Sequence, residues 1–145
     1  MSNSKFVYTL YIAATAEKVW NALLDGEMTR QYWGHENVSD WKPGSPWQHV
    51  ADDGKRTVRL VGEVVEIDPP RRLVLTWVDP VDAAEKTKHT RVSFDIEPVA
   101  DMVRLTVTHD ELSDDMFRKI ANGWPRVLSS MKSFLETGKP LKTWA

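Results

Sequence analysis

The sequence has no cysteine among its 145 residues. Disulfide bonds, thiol catalysis and thiolate metal sites are therefore excluded. It also lacks a charge excess, since 19 basic residues stand against 21 acidic ones and give a formal net charge of −2. Such a balance provides no general attraction to nucleic acid or to an anionic membrane, so neither is expected as a partner.

Long apolar runs are missing as well. No run approaches the length that crosses a bilayer, and the start MSNSKFVYTL lacks the basic and then apolar form of a signal peptide. We therefore expect a cytoplasmic protein folded as one domain over residues 1–145. Neither GxGxxG nor GxxxxGKS/T occurs, and the four histidines lack the close spacing of a metal site. No cofactor and no metal are predicted.

The sequence is rich in tryptophan, with seven of these residues. Tryptophan is large and seldom fully buried, so several in one domain indicate either a thick core or a pocket lined by aromatic rings.

The last long segment, residues 113–139, has the period of an amphipathic helix. Its apolar stripe consists of Phe117, Ile120, Trp124, Val127, Met131 and Phe134. Ser129, Ser130 and Ser133 are predicted to lie on the polar side. Pro125 removes one backbone hydrogen bond, so we expect a kink or a restart of the helix near residues 122–125.

The preceding chain reads as one strand, two short helices and about six further strands. The first strand is expected at 5–13, the helices at 15–24 and 27–33, and the later strands at 37–41, 46–51, 57–67, 72–78, 87–97 and 102–110. Short turns between the strands imply antiparallel neighbours. This order predicts an α+β fold in which the last helix lies across a curved sheet. Gly62 is expected to mark a bulge in its strand.

Seven motifs, in this order, carry a family resemblance. They are YIAA (11–14), EKVWNAL (17–23), YWG (32–34), GEVVEIDPPRRL (62–73), TW (76–77), LTVTH (105–109) and GWP (123–125). With them the chain resembles the START-like (SRPBCC) superfamily, and more narrowly the homologues of the C-terminal domain of the heat-shock protein 90 ATPase activator. The matching pieces span nearly the whole chain.

The resemblance implies a helix-grip fold, in which a seven-stranded antiparallel sheet wraps around the long C-terminal helix. It also implies an internal cavity, which family members use for lipids, polyketides, plant hormones or other hydrophobic ligands. The leading hypothesis is therefore the binding of a small hydrophobic or aromatic molecule between sheet and helix. Its affinity would come from buried apolar area.

The candidate ligand-binding residues lie on the inward rows of the strands and on the apolar helix face. They are Trp33, Trp47, His49, Leu60, Leu75, Trp77, Phe94, Val107, His109, Ile120, Trp124 and Leu128, with Trp41 and Val92 as further lining. His49 and His109 would supply specificity. Gly123, at the expected kink, is predicted to control ligand uptake. The alternative is that these aromatic side chains simply fill the interior.

Two other functions remain open. A cyclase or hydrolase type of enzyme would use His109 or His49 as acid and base, and an inward imidazole beside a carboxylate would favour it. A chaperone-accessory module of the stress response would need an exposed apolar patch. A homodimer formed through exposed tryptophans is a further hypothesis, with Trp144 packing on its own chain or on a partner.

Overall fold

The computed structural model describes residues 4–142 and has the predicted α+β helix-grip architecture. The strands are β1 (Ser4–Ile12), β2 (His35–Ser39), β3 (Pro46–Ala51), β4 (Val58–Asp68), β5 (Arg72–Trp77), β6 (Thr90–Val99) and β7 (Met102–Leu112). The α-helices are α1 (Ala16–Leu24), α2 (Gly26–Trp33) and α3 (Asp114–Thr137). Single turns of 3-10 helix, Pro80–Asp82 and Lys86–Lys88, occupy the loop between β5 and β6. Trp144 lies outside the described residues.

All seven strands form one antiparallel sheet in the order β1-β7-β6-β5-β4-β3-β2. The last strand therefore pairs with the first, and α1 and α2 carry the chain from one edge of the sheet to the other. The predicted alternation is confirmed on β7, where Val103, Leu105, Val107 and His109 are buried. Glu63 on β4 is exposed, so this carboxylate does not point into the interior.

Helix α3 runs without interruption from Asp114 to Thr137. Ser113 caps its start by accepting a hydrogen bond from the backbone N–H of Met116, and Gly138 ends it in the left-handed conformation with φ of 82°. The helix does not restart near residues 122–125, so that alternative is wrong, and a kink there stays a prediction. Proline's fixed φ fits a helix, and burial of the neighbouring Trp124 offsets the missing hydrogen bond at Pro125.

The assignment of Ser130 to the polar side of α3 is also wrong. Its side chain is fully buried, and its hydroxyl lies 2.8 Å from the backbone oxygen of Tyr32. The Ser130 hydroxyl oxygen also accepts a hydrogen bond of 3.0 Å from the backbone N–H of Leu141. A serine hydroxyl both donates and accepts, so Ser130 joins the end of α2 to the segment that follows α3.

We expect Ser130→Ala to lower the free energy of unfolding by about 1–2 kcal/mol, because it leaves buried backbone groups without a partner. Chemical denaturation measures this loss. The matched control is Ser129→Ala, since Ser129 is exposed and its hydroxyl bonds only the Pro125 oxygen one turn earlier. Equal effects of the two substitutions would show that Ser130 has no special role.

Gly62 does not mark the bulge that we expected. The register of β4 against β5 shifts between Val64 and Glu66 instead. At Gly62 the indole of Trp47 crosses β4 and donates a hydrogen bond of 2.7 Å to the backbone oxygen of Thr76. A Cβ atom on Gly62 would lie 1.9 Å from that oxygen and 2.3 Å from the indole nitrogen. The glycine therefore provides the space through which Trp47 reaches β5.

Among residues 4–142, no helix is long and apolar enough to cross a membrane.

Candidate ligand-binding site

Four tryptophans from four different elements meet between the sheet and α3. Trp33 ends α2, Trp47 lies on β3, Trp77 ends β5, and Trp124 lies in the middle of α3. The ring centroid of Trp77 is 5.4 Å from that of Trp47 and 5.4 Å from that of Trp124, and the Trp33 and Trp124 centroids are also 5.4 Å apart. These rings pack against the imidazoles of His49 and His109 in the region where a cavity was expected.

The imidazole of His109 is completely buried and has a partner on each nitrogen. Nδ1 accepts a hydrogen bond of 3.1 Å from the indole N–H of Trp124, and Nε2 lies 2.8 Å from the hydroxyl of Thr90. That hydroxyl donates in turn to the backbone oxygen of Trp77, at 2.7 Å. Because an indole N–H can only donate, His109 is the neutral tautomer with its proton on Nε2.

This environment does not suit acid–base catalysis. Burial lowers the pKa of His109 to about 4, and the charge of the neighbouring Asp110 opposes this only in part. Both hydrogen-bond partners of the ring are neutral, so the adjacent carboxylate that would favour an enzyme is not among its hydrogen-bonding contacts. His109 instead fixes the orientation of Trp124 beside the sheet.

His49 is also buried, with 2% of its surface exposed. Its Nδ1 lies 2.7 Å from Oδ1 of Asn37 on the adjacent strand β2. Burial lowers the pKa of His49 well below its ordinary value, and the nearby His35, whose ring centroid is 4.4 Å away, lowers it further. The imidazole is therefore neutral. Within the described part of the chain, its Nε2 has no hydrogen-bond partner.

A pocket of about 120 Å³ remains between α3 and the tryptophan cluster. Its lining is almost entirely apolar, and consists of Trp33, Trp77, Lys119, Ile120, Gly123, Trp124 and Val127. A Cβ atom added to Gly123 would meet no atom within 4 Å. The glycine therefore leaves open space on this face of the helix.

The structure thus divides the twelve candidate residues into three groups. Those that line the pocket are Trp33, Trp77, Ile120 and Trp124. Those in ring contact with the cluster behind it are Trp47, His49, Phe94 and His109. The remaining ones belong to the surrounding core and are Leu60, Leu75, Val107 and Leu128, of which only Leu60 is partly exposed. Trp41, half-buried beyond β2, packs at the margin of that core.

Four residues of this site were missing from the sequence prediction. Asn37 pairs directly with His49 across β2 and β3, and Thr90 pairs with Trp77 across β5 and β6. Both follow from strand register, which the sequence did not define. Lys119 and Val127 lie four residues before and after Gly123, so helical spacing alone identifies them.

Four larger hollows occur elsewhere among residues 4–142, and none of them has a tryptophan in its lining. One of about 500 Å³ is lined by charged side chains of β4 to β7, including Arg72 and Asp95, which form an ion pair at 2.6 Å. The lining of this hollow is about as polar as it is apolar, unlike the almost entirely apolar lining of the pocket beside Gly123. In residues 4–142, no group of three or more histidine, aspartate or glutamate side chains is arranged to hold a metal ion.

A seven-stranded antiparallel sheet, a long C-terminal helix and an aromatic pocket between them define a helix-grip protein of the START-like (SRPBCC) class. Residues 13–136 match the model of the family described as Activator of Hsp90 ATPase homolog 1-like protein. The chain belongs to this family, so the resemblance found in the sequence is confirmed.

Solved structures support the same fold. An HSP90 activator from Plasmodium falciparum has a TM-score of 0.76 at 23% identity, covering 95% of this chain and 99% of its own. An Aha1 dimer from Colwellia psychrerythraea has a TM-score of 0.75 at 22% identity, and the match covers 94% of this chain and 98% of the Colwellia chain. CalU16 from Micromonospora echinospora has a TM-score of 0.75 at 21% identity, and the match covers 94% of this chain and 76% of the CalU16 chain. No protein of curated function matches the sequence.

Proposed function

We propose that this protein binds a small neutral molecule with one aromatic ring in the pocket between α3 and the sheet. The observation that carries the proposal is an apolar pocket of about 120 Å³ whose walls include three indole rings. Aromatic rings favour offset stacked or edge-to-face contact with other rings, and Trp33, Trp77 and Trp124 supply both the faces and the edges for it.

The volume indicates the size of the ligand that the pocket can surround. An apolar protein cavity of roughly 150 Å³ accepts benzene, whereas sites for drug-sized molecules span roughly 300–1,000 Å³. A pocket of about 120 Å³ therefore suits a single ring with one small substituent. The lipids and polyketides bound by other members of the superfamily would require the tryptophan cluster to rearrange.

The first experiment combines intrinsic tryptophan fluorescence with thermal denaturation for benzene, toluene, phenol, naphthalene and a long-chain fatty acid. Single-ring compounds should quench the fluorescence saturably and raise the melting temperature, with a Kd on the order of 0.1–1 mM. Naphthalene and the fatty acid should bind more weakly. If none of the five compounds gives a saturable response, the tryptophans act only as core and the proposal fails.

Gly123→Leu should abolish this binding without unfolding the protein, because the new side chain enters the open space of the pocket. We expect at least a tenfold loss of toluene affinity in the fluorescence titration. The matched control is Asn122→Leu, which adds the same side chain at the adjacent, exposed position of α3. Toluene affinity equal to that of the unaltered protein in a folded Gly123→Leu variant would place the ligand elsewhere.

The remaining expectations stay predictions. These are a cytoplasmic location, a homodimer, a chaperone partner and a role in the stress response. The structural neighbours described as an HSP90 activator and as an Aha1 dimer motivate the chaperone and dimer hypotheses. Their identities to this chain, 22% and 23%, support likeness of fold.

A further inference from the structure

The pattern of hydrogen bonds around His49 determines which nitrogen of its ring carries the proton. The amide nitrogen of Asn37 donates a hydrogen bond of 2.8 Å to the backbone oxygen of Leu23. The other end of this amide, Oδ1, therefore faces His49, and a carbonyl oxygen can only accept. Nδ1 of His49 is consequently the protonated nitrogen, at 2.7 Å from Oδ1. Nε2 is left with an unshared electron pair.

This electron pair is buried, and among residues 4–142 no group donates a hydrogen bond to it. A buried acceptor that lacks a donor destabilises the folded protein, so an occupant that donates a hydrogen bond to it recovers part of that cost on binding. The contrast with His109 is direct, because both nitrogens of His109 are engaged by Trp124 and Thr90. Of the two buried imidazoles, His49 is the one with capacity for a ligand.

His49 and the proposed pocket share two walls. The ring centroid of Trp33 lies 4.3 Å from that of His49, and the centroid of Trp77 lies 6.3 Å from it. Both indoles also line the pocket. Trp33 is the half-buried last residue of α2 and precedes Gly34, which adopts the left-handed conformation. His49 does not itself line the pocket, so a ligand that reaches its Nε2 must displace the Trp33 indole.

We infer that the ligand carries a hydroxyl or N–H group on its ring and donates a hydrogen bond from it to Nε2 of His49. The inference rests on the proposed function and narrows it to single-ring molecules with a donor substituent, such as phenols and anilines. Ligands that only accept hydrogen bonds, such as ring ethers and ketones, are disfavoured because the lone pair of the ligand oxygen would face the lone pair on Nε2 of His49. Carboxylates are disfavoured for the same reason and because the pocket is apolar.

The test compares phenol with toluene, which has nearly the same shape but no donor. Both are titrated by calorimetry into the unaltered protein and into His49→Phe, which keeps an aromatic ring at this position. We expect the ratio of phenol affinity to toluene affinity to fall about tenfold in the variant. Asn37→Ala provides a second variant, because it removes the group that holds the proton on Nδ1 and should also reduce this ratio.

The outcomes separate the two proposals. A ratio that neither variant changes, with both compounds bound, overturns the inference about His49 and leaves the pocket intact. Failure of both compounds to bind the unaltered protein overturns the inference and the proposed function together. Nitrogen-15 NMR of the histidine rings adds a readout independent of affinity: Nε2 of His49 should be unprotonated in the free protein, and its resonance should shift with phenol but not with toluene. A proton on Nε2 of His49 in the free protein contradicts the inference.

Discussion

Gly62→Ala is expected to lower the free energy of unfolding by about 3–5 kcal/mol. The added methyl group would lie 1.9 Å from the backbone oxygen of Thr76 and 2.3 Å from the indole nitrogen of Trp47. Both the indole and the backbone of β5 must therefore move, and a shift of β5 disturbs the sheet. The Thr76 oxygen then loses its hydrogen bond, and the largest fully buried side chain of the core loses its position. Urea denaturation measures the effect.

The matched control is the same chemical change at Gly123. In that helix a Cβ atom meets no neighbour within 4 Å, and alanine is a better helix former than glycine by about 1 kcal/mol. Gly123→Ala should therefore stabilise the protein, while Gly62→Ala destabilises it. Effects of the same sign at both positions would contradict the assignment of Gly62 as the opening for Trp47.

Acidification should destabilise the protein by about 3 kcal/mol through His109 alone. The pKa of this imidazole falls from an ordinary 6.5 to about 4 in the folded state, and each unit corresponds to about 1.4 kcal/mol. Between these two values the unfolded chain binds more protons than the folded one, so stability is fully present above pH 6.5 and decreases as the pH falls toward 4. His49, whose pKa is also lowered, acts in the same direction.

The slope of unfolding free energy against pH tests this explanation between pH 5 and 6.5. We expect the unfolded chain to bind between one and two more protons than the folded protein, because two buried imidazoles stay neutral in the folded state. His109→Phe should be less stable at neutral pH, since it leaves the Trp124 N–H and the Thr90 hydroxyl without this partner. The slope for His109→Phe should nevertheless correspond to about one fewer proton taken up on unfolding. A slope equal to that of the unaltered protein would show that His109 is not the titrating group.

The sequence was sufficient to predict the architecture because each element has an independent local signal. The apolar stripe and the Ser113 and Gly138 caps define α3, and alternation defines the inner face of β7. The restart wrongly expected at Pro125 came from a local rule, since the cost of one lost hydrogen bond is small beside the burial of Trp124. The error at Ser130 came from treating a serine on a helix as solvated, although its partners belong to distant segments.

The candidate site was harder to predict, because it depends on pairings between residues far apart in the chain. The prediction included both histidines and the four tryptophans of the cluster. It did not include Asn37 or Thr90, whose contacts determine the protonation of His49 and His109. Nor could it give the volume of the pocket, which depends on how the indoles pack against one another rather than on their number.

The central claim is that a single aromatic ring binds among Trp33, Trp77 and Trp124. The most direct measurement is a set of intermolecular nuclear Overhauser effects between unlabelled toluene and isotope-labelled protein. We expect contacts from toluene to the indole protons of all three tryptophans and to the α-protons of Gly123. Contacts confined to the outer face, near residues such as Arg72 or Thr106, would contradict it, as would toluene that shifts no indole resonance at saturation.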